Sequence, residues 1–337
     1  MALPLTKDWL VKRYLTGVDL TDDAGTPYPD ELFSHALAAA VQWAARVLDL
    51  EIEQRTVTER HDWDPRQWAQ WAWISLARRP IINIDSMRLK YANQPLLTVP
   101  PEWIVQTVPE AGAVQLIPLS SVSGMAVTGF GVVPWLGPGL GNGARTLPGY
   151  YEVTYRAGFP TRSASGLPVG AWTPTDDDFG GLVAFALDAT APTGGTRFTL
   201  LGDASDGAVV ETVTIPEGTT GPVIASKSWT TLTRVTSANL PPGGTWTIRT
   251  ARIADDVLHL IGMYASCFPL NTAGDLVAGA GVASRSIGID GLTSAVSTTA
   301  SATNAGYGAR ILQYQNDIKR LLPVVRNYYH GIELRAG

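Results

Sequence analysis

Few residues in this 337-residue sequence have the type and spacing that chemistry requires. Four histidines (His35, His61, His259 and His330) are the natural general bases, yet each falls inside or beside a hydrophobic pattern. No two stand four apart or flank a single residue, as a zinc-binding pair does. A serine nucleophile in a G-x-S-x-G elbow is missing, and the single cysteine, Cys267, lies in an apolar pattern that reads as small core. One cysteine also rules out an internal disulfide framework and cysteine-based metal sites. Asp176-Asp177-Asp178 offers carboxylates to calcium, but no twelve-residue loop of alternating ligands surrounds it, so a solvated turn is expected. Gly139-Leu140-Gly141-Asn142-Gly143-Ala144 nearly spells a dinucleotide fingerprint, which needs a strand before it and a helix after. Pro134 and Pro138 precede it and Thr146-Leu147-Pro148-Gly149 follows, so it reads as a loop. No catalytic, cofactor or metal residue is assigned. A hydrolase working through paired carboxylates remains a rival, without an identifiable pair of acids.

The sequence offers surfaces instead. Trp63, Trp68, Trp71 and Trp73 cluster where tryptophan suits either a core or a subunit interface. Residues 281–303 are nearly free of charge and rich in small polar residues, so they cannot bury enough surface to fold alone. Ile287, Ile289, Leu292 and Val296 give that stretch regularly placed apolar anchors, which suits an arm ordered by docking onto another protein. Residues 304–330 then turn helical, with Ile311, Tyr314, Ile318, Leu321, Val325 and Tyr328 at steps of three and four. This helix would moor the arm to its own domain. Pro323 lacks the amide that would bond to Lys319 and is expected to kink it. The cations Arg310, Lys319, Arg320 and Arg326 read as a solvated face.

Composition bounds the elements that position these surfaces. Apolar residues make up 45%, ordinary for a folded protein, whereas charged residues reach only 16%. Glycine (34) and proline (23) favour strands and shaped loops over long helices. A net charge of −5 argues against a dedicated nucleic-acid binder. No basic-then-apolar leader opens the chain, and the uncharged span 111–144 is broken by Pro118, Pro134 and Pro138, so no spanning helix is expected there. A soluble protein made in a cytoplasm and without membrane contact is the expectation.

A short helix is expected within 3–17 and another from Asp30 to Leu50, with Leu37, Val41, Ala44 and Leu48 on its buried face. Strands follow at Glu51–Arg60, Ile81–Tyr91, Leu96–Val108, Ala113–Pro118 and Tyr150–Arg156. Residues 172–250 hold 17 threonines and four Lys/Arg, with short strand-like runs divided by Gly/Pro turns, which points to an inserted β-sandwich. Helical periodicity resumes over Ala254–Phe268. The fold class is therefore α+β. A small helix-plus-sheet body (residues 1–171 and 251–337) would carry an immunoglobulin-like sandwich (172–250), an extended arm (281–303) and a terminal helix (304–330).

Several local patterns resemble those of tailed-bacteriophage head–tail connector proteins, the adaptors or neck proteins that bind beneath the portal ring. They are the helix from Asp30 followed by an exposed strand, Arg79-Pro80-Ile81-Ile82 leading to Met87-Arg88-Leu89-Lys90-Tyr91 and Val99-Pro100-Pro101-Glu102-Trp103-Ile104, and Tyr155-Arg156-Ala157-Gly158-Phe159-Pro160. In such proteins a helix follows that last motif; here it is displaced to Ala254–Phe268. The fourth pattern is Ser286-Ile287-Gly288-Ile289-Asp290-Gly291-Leu292, then a Ser/Thr run, then Gly306-Tyr307-Gly308-Ala309-Arg310. Together they touch most of 28–160 and 251–332. The resemblance implies a virion structural protein of the neck: a ring of identical subunits, usually twelve, joining the portal protein to a tail-side neck or terminator protein. Genomic DNA would pass through its lumen without sequence-specific binding, and no cofactor or enzymatic activity would be needed. The insert lies outside the common pattern. It leaves open a tail- or baseplate-associated adhesion protein whose sandwich binds host glycan through exposed aromatic rings.

Overall fold

The computed structural model describes residues 3–22, 24–63, 73–91, 94–116, 147–174, 179–204, 207–278, 284–289, 292–297 and 307–330. The glycine-rich fingerprint at 139–144, Trp68, Trp71 and Asp176-Asp177-Asp178 lie outside them. Among the described residues are four α-helices and seventeen strands, and every sheet is antiparallel. The mixture of helix and antiparallel strand is α+β. The chain divides into two compact units: residues 1–46 with 160–325, and residues 47–159 with 326–337.

The second unit is built on β7 (Leu147–Ala157), which alternates cleanly. Tyr151, Val153, Tyr155 and Ala157 are buried, while Glu152, Thr154 and Arg156 occupy the other face. Beside it lie β1 (Arg55–Trp63) and β3 (Ile81–Tyr91), and β4 (Gln94–Thr98) closes the far edge, giving the order β1-β7-β3-β4. A three-stranded sheet, β2 (Trp73–Ser75), β6 (Ala113–Leu116) and β5 (Ile104–Val108), shares its core, in which Ile74, Leu76, Val114 and Leu116 meet Met87, Leu89, Val153 and Tyr155. The single strand expected over Leu96–Val108 is thus two strands in two sheets. Pro100 and Pro101 have no amide to continue a ladder, and a 3-10 turn over Pro101–Trp103 carries the chain across.

In the first unit, α1 (Lys7–Tyr14) is capped by the Thr6 hydroxyl, which accepts from the Trp9 amide at 3.3 Å. Helix α2 (Asp30–Leu48) buries Phe33, Leu37, Ala40, Ala44 and Leu48. Helix α3 runs over Asp255–Ala278, ten residues beyond the expected Phe268. Pro269 removes one backbone bond, but Leu270 and Ala273 keep the buried face going, and their burial outweighs that loss. Helix α4 spans Gly308–His330, continuous through Pro323, and its last residues belong to the second unit.

Two four-stranded sheets enclose a separate core in the first unit. One is ordered β13 (Val223–Ile224), β10 (Leu182–Leu187), β15 (Trp246–Ala251), β8 (Thr161–Leu167). The other is ordered β12 (Gly207–Ile215), β11 (Thr196–Ala204), β14 (Trp229–Ala238), β9 (Gly170–Trp172). Strands β8 and β9, which precede residue 173 and pair with β15 and β14, were not anticipated. The Arg252 amide donates to the Pro160 carbonyl at 3.0 Å, so the chain leaves and returns at one point. The sandwich is also tied to the helices: the Arg13 guanidinium donates to the Ser226 carbonyl at 3.0 Å. Strand β10 is buried on both faces. Val183, Phe185 and Leu187 point into the sandwich core, and Leu182 and Ala184 on the opposite face are also buried.

Candidate docking surfaces

The terminal helix is held by polar chemistry at the end of α1. The last carbonyls of a helix have no intrahelical partner and carry partial negative charge. Arg310 donates to the Tyr14 carbonyl at 2.6 Å and to the Thr16 carbonyl at 3.2 Å, and the Tyr314 hydroxyl donates to the Tyr14 carbonyl at 2.7 Å. Arg310 Nε also donates to the Tyr314 hydroxyl at 3.2 Å, so the two side chains act as one clamp. Tyr14 continues the network to His259 Nδ1 at 3.1 Å, and burial pushes its phenol up to about 12. Glycine at 262 is what lets the Tyr14 ring lie against α3, since a Cβ there would meet that ring. The solvated role expected for Arg310 is therefore corrected. A cation in a helix's first turn is opposed by the macrodipole, and that was the available sign that Arg310 answers to a partner outside its own helix.

Along α4, Ile311, Ile318 and Val325 are buried and Tyr314 and Leu321 half-buried. Tyr328, expected on the same face, is exposed, and Tyr329 is buried in its place, edge-on to Phe159 with ring centroids 5.9 Å apart. Helical phase explains the exchange: position 329 stands five whole turns after 311, whereas 328 is a hundred degrees behind.

Between α3 and α4 the expected extended arm contains a two-stranded ribbon, β16 (Ser284–Ile289) and β17 (Leu292–Ser297), separated in sequence by Asp290-Gly291. Asp-Gly between two short runs is a strong hairpin signal, which the low-complexity reading of this stretch overlooked. In the register Ile289 faces Leu292, Ile287 faces Ser294, and Arg285 faces Val296. Directly paired positions share a face, so Ile287, Ile289, Leu292 and Val296 all fall on one face of the ribbon. Ser284, Ser286, Gly288, Thr293, Ala295 and Ser297 fall on the other. Of the four clustered tryptophans, Trp63 and Trp73 fall within the described residues. Trp63 ends β1 opposite Leu147 and Trp73 opens β2 opposite Gln115, in different sheets.

The polar clusters in the described residues read as structural. Glu59 accepts hydrogen bonds from the Ala77 amide at 2.9 Å and the Tyr155 hydroxyl at 3.1 Å, with His61 Nε2 at 2.8 Å, while the Arg78 amide donates to Tyr155 at 3.0 Å. Burial works to raise the Glu59 pKa, but the hydrogen bonds from His61, Ala77 and Tyr155 outweigh it and hold the carboxyl below its ordinary range. The network stitches β1 to β7 and to the turn after β2. Burial pushes the Cys267 thiol up to about 11, the opposite of what a nucleophile needs. No group of three or more His, Cys, Asp or Glu side chains able to hold a metal ion occurs among the described residues. None of the described helices is long and apolar enough to cross a membrane. In the sandwich, Phe179, Phe185, Phe198, Trp229 and Trp246 are buried, Phe185 stacking on Phe198 at 4.6 Å, and half-buried Trp172 lies edge-on to Trp246 at 6.1 Å. These rings fill the core and do not form an external platform for sugars. Against models of known protein families the chain finds no match, and no curated protein matches it.

Proposed function

We propose that this chain is a structural connector: a head-to-tail adaptor of a tailed bacteriophage, forming a ring, twelvefold by its resemblance, beneath the portal. The ring joins capsid to tail around the DNA exit channel and carries out no reaction. The observation that supports this best is the ribbon between α3 and α4. Its register collects four apolar positions on one face, as a docking element does, and the Arg310–Tyr314 clamp anchors the helix that follows it. A two-stranded ribbon is marginal alone and gains stability from a partner surface. In this reading Ile287, Ile289, Leu292 and Val296 meet the portal, and the immunoglobulin-like sandwich lies on the outer side of the neck. Adhesion through glycan stacking is less well supported, because the sandwich rings point inward.

Gold-labelled antibody against residues 172–250, applied to intact particles from the source, tests this reading. Label just under the capsid supports the connector. Label at the tail tip or fibres transfers the chain to host adhesion, and absence from particles despite protein in the lysate ends the structural reading.

A further inference from the structure

The register of the β1-β7-β3-β4 sheet places a set of cations on the face opposite its core. One row across the sheet reads Arg60–Glu152–Arg88, and another Thr56–Arg156–Asn83. Lys90 bonds Glu152, which Arg60 approaches at 3.4 Å, and Arg156 lies 3.6 Å from Asp85. Four cations thus stand against three carboxylates, Glu152, Asp85 and Asp62, on one face of a chain whose net charge is −5. Strand β4, which ends this sheet, has no charged residue and exposes Leu96 and Leu97. Charges beside exposed leucines on a strand that ends its sheet among the described residues resemble an interface more than a solvated surface.

The complementary surface is on the same chain. Residues 18–31 contain no lysine or arginine, and Asp19, Asp22, Asp30 and Glu31 are exposed. The segment is preshaped: the Asp22 carboxylate accepts from the Ala24 amide at 2.9 Å and the Thr26 amide at 2.8 Å, and Thr21 bridges to Pro27. Lys7 pairs with Asp30 at 2.7 Å and leaves the other carboxylates in excess. A chain with one basic and one acidic surface is suited to heterologous contact, in which each copy presents both.

We infer that copies of this chain associate head to tail by charge, the face bearing Arg60, Arg88, Lys90 and Arg156 receiving the Asp19–Glu31 segment of a second copy. This rests on the ring reading above and assigns that ring its subunit contact. DNA is the weaker occupant, because a chain of net charge −5 lacks the broad excess of cations that a polyphosphate backbone calls for.

Sedimentation velocity on the full chain tests the contact with two variants, Arg88→Glu/Arg156→Glu and Asp19→Lys/Glu31→Lys. Wild-type chain should self-associate in low salt and weaken at least about tenfold between about 50 and about 500 mM salt. Each variant alone should remain monomeric with a wild-type circular-dichroism spectrum. An equimolar mixture should associate again, because every second contact then pairs reversed charges. Association that survives either reversal overturns the proposal, as does a mixture of folded variants that stays monomeric. A wild-type chain monomeric up to about 1 mM in low salt also overturns it, and label at the neck would then leave the connector reading intact. Loss of DNA retention on the face-reversed variant, with self-association unchanged, would give the face to nucleic acid instead.

Discussion

Arginine 310 is the residue whose role the structure changes most, and its removal has a computable effect. Arg310→Ala deletes hydrogen bonds to the Tyr14 and Thr16 carbonyls, at 2.6 and 3.2 Å. A charge-assisted bond is worth ~1.5–3 kcal/mol where water is excluded and much less where it is not. The Tyr14 bond is partly buried and the Thr16 bond exposed, so the pair is worth about 2 kcal/mol. Removing a cation from the first turn of α4 returns about 0.5 kcal/mol. The net loss is about 1.5 kcal/mol, and amide exchange in the first turns of α4 should speed about tenfold. Tyr314→Phe keeps the ring and loses one bond to the same carbonyl, costing about 1 kcal/mol. Because Arg310 also donates to the Tyr314 hydroxyl, the double variant should fall short of the sum by about 0.5 kcal/mol. Hydrogen exchange followed by mass spectrometry over 307–322 reads all three. Exchange in Arg310→Ala within about twofold of wild type would show a solvated arginine and refute the clamp.

Other outcomes follow from the same geometry. Trp246→Ala removes a fully buried ring that touches Phe185, Phe198 and Trp172, together with its hydrogen bond to the Pro168 carbonyl; thermal melts should show a loss of about 3–5 kcal/mol. Glu59→Gln should cost about 2 kcal/mol at neutral pH by denaturant titration. The carboxyl pKa is lowered by folding, so its contribution is present above the unfolded value of ~4.3 and fades as pH falls through the folded one. The gap between Glu59→Gln and wild type should therefore close in acid; a gap constant with pH would remove the carboxylate from the account. Replacing Ile287, Ile289 and Leu292 together with serine should abolish incorporation into particles while circular dichroism of the isolated chain stays unchanged. Loss of the folded signal would make the ribbon a structural part of its own unit.

Much of the architecture was legible because period and chemistry agreed. Strand β3 falls on its expected bounds, since Ile81–Tyr91 is a β-rich run closed by turn residues. Helix α2 starts at Asp30 as charge at a helix N-terminus suggests. The failures have physical causes. Thr161–Leu167 and Gly170–Trp172 carry few large apolar residues and become strands only by pairing with β15 and β14, which is long-range information. The expected helical periodicity ended at Phe268, just before Pro269, although burial on both sides carries α3 through that proline. For the candidate surfaces, the apolar stripe of α4 was visible from its spacing, whereas Arg310 was not. Its partners are carbonyls nearly three hundred residues away, and backbone acceptors leave no trace in side-chain patterns.

The bond between Arg252 and Pro160 has an evolutionary consequence. A module whose two ends meet can be lost or traded by recombination without lengthening the remaining chain, and ninety residues could vanish at the cost of a two-residue splice. The buried outer face of β10 resists that trade. Whatever packs over Leu182 and Ala184 would be uncovered with the module gone, so any replacement cassette would have to bring its own apolar face and a partner for Arg13, or leave a greasy scar on the recipient. The sandwich is thus easy to remove genetically and difficult to remove physically, and lineages that lack it should show compensating polar substitutions on the surface it leaves behind.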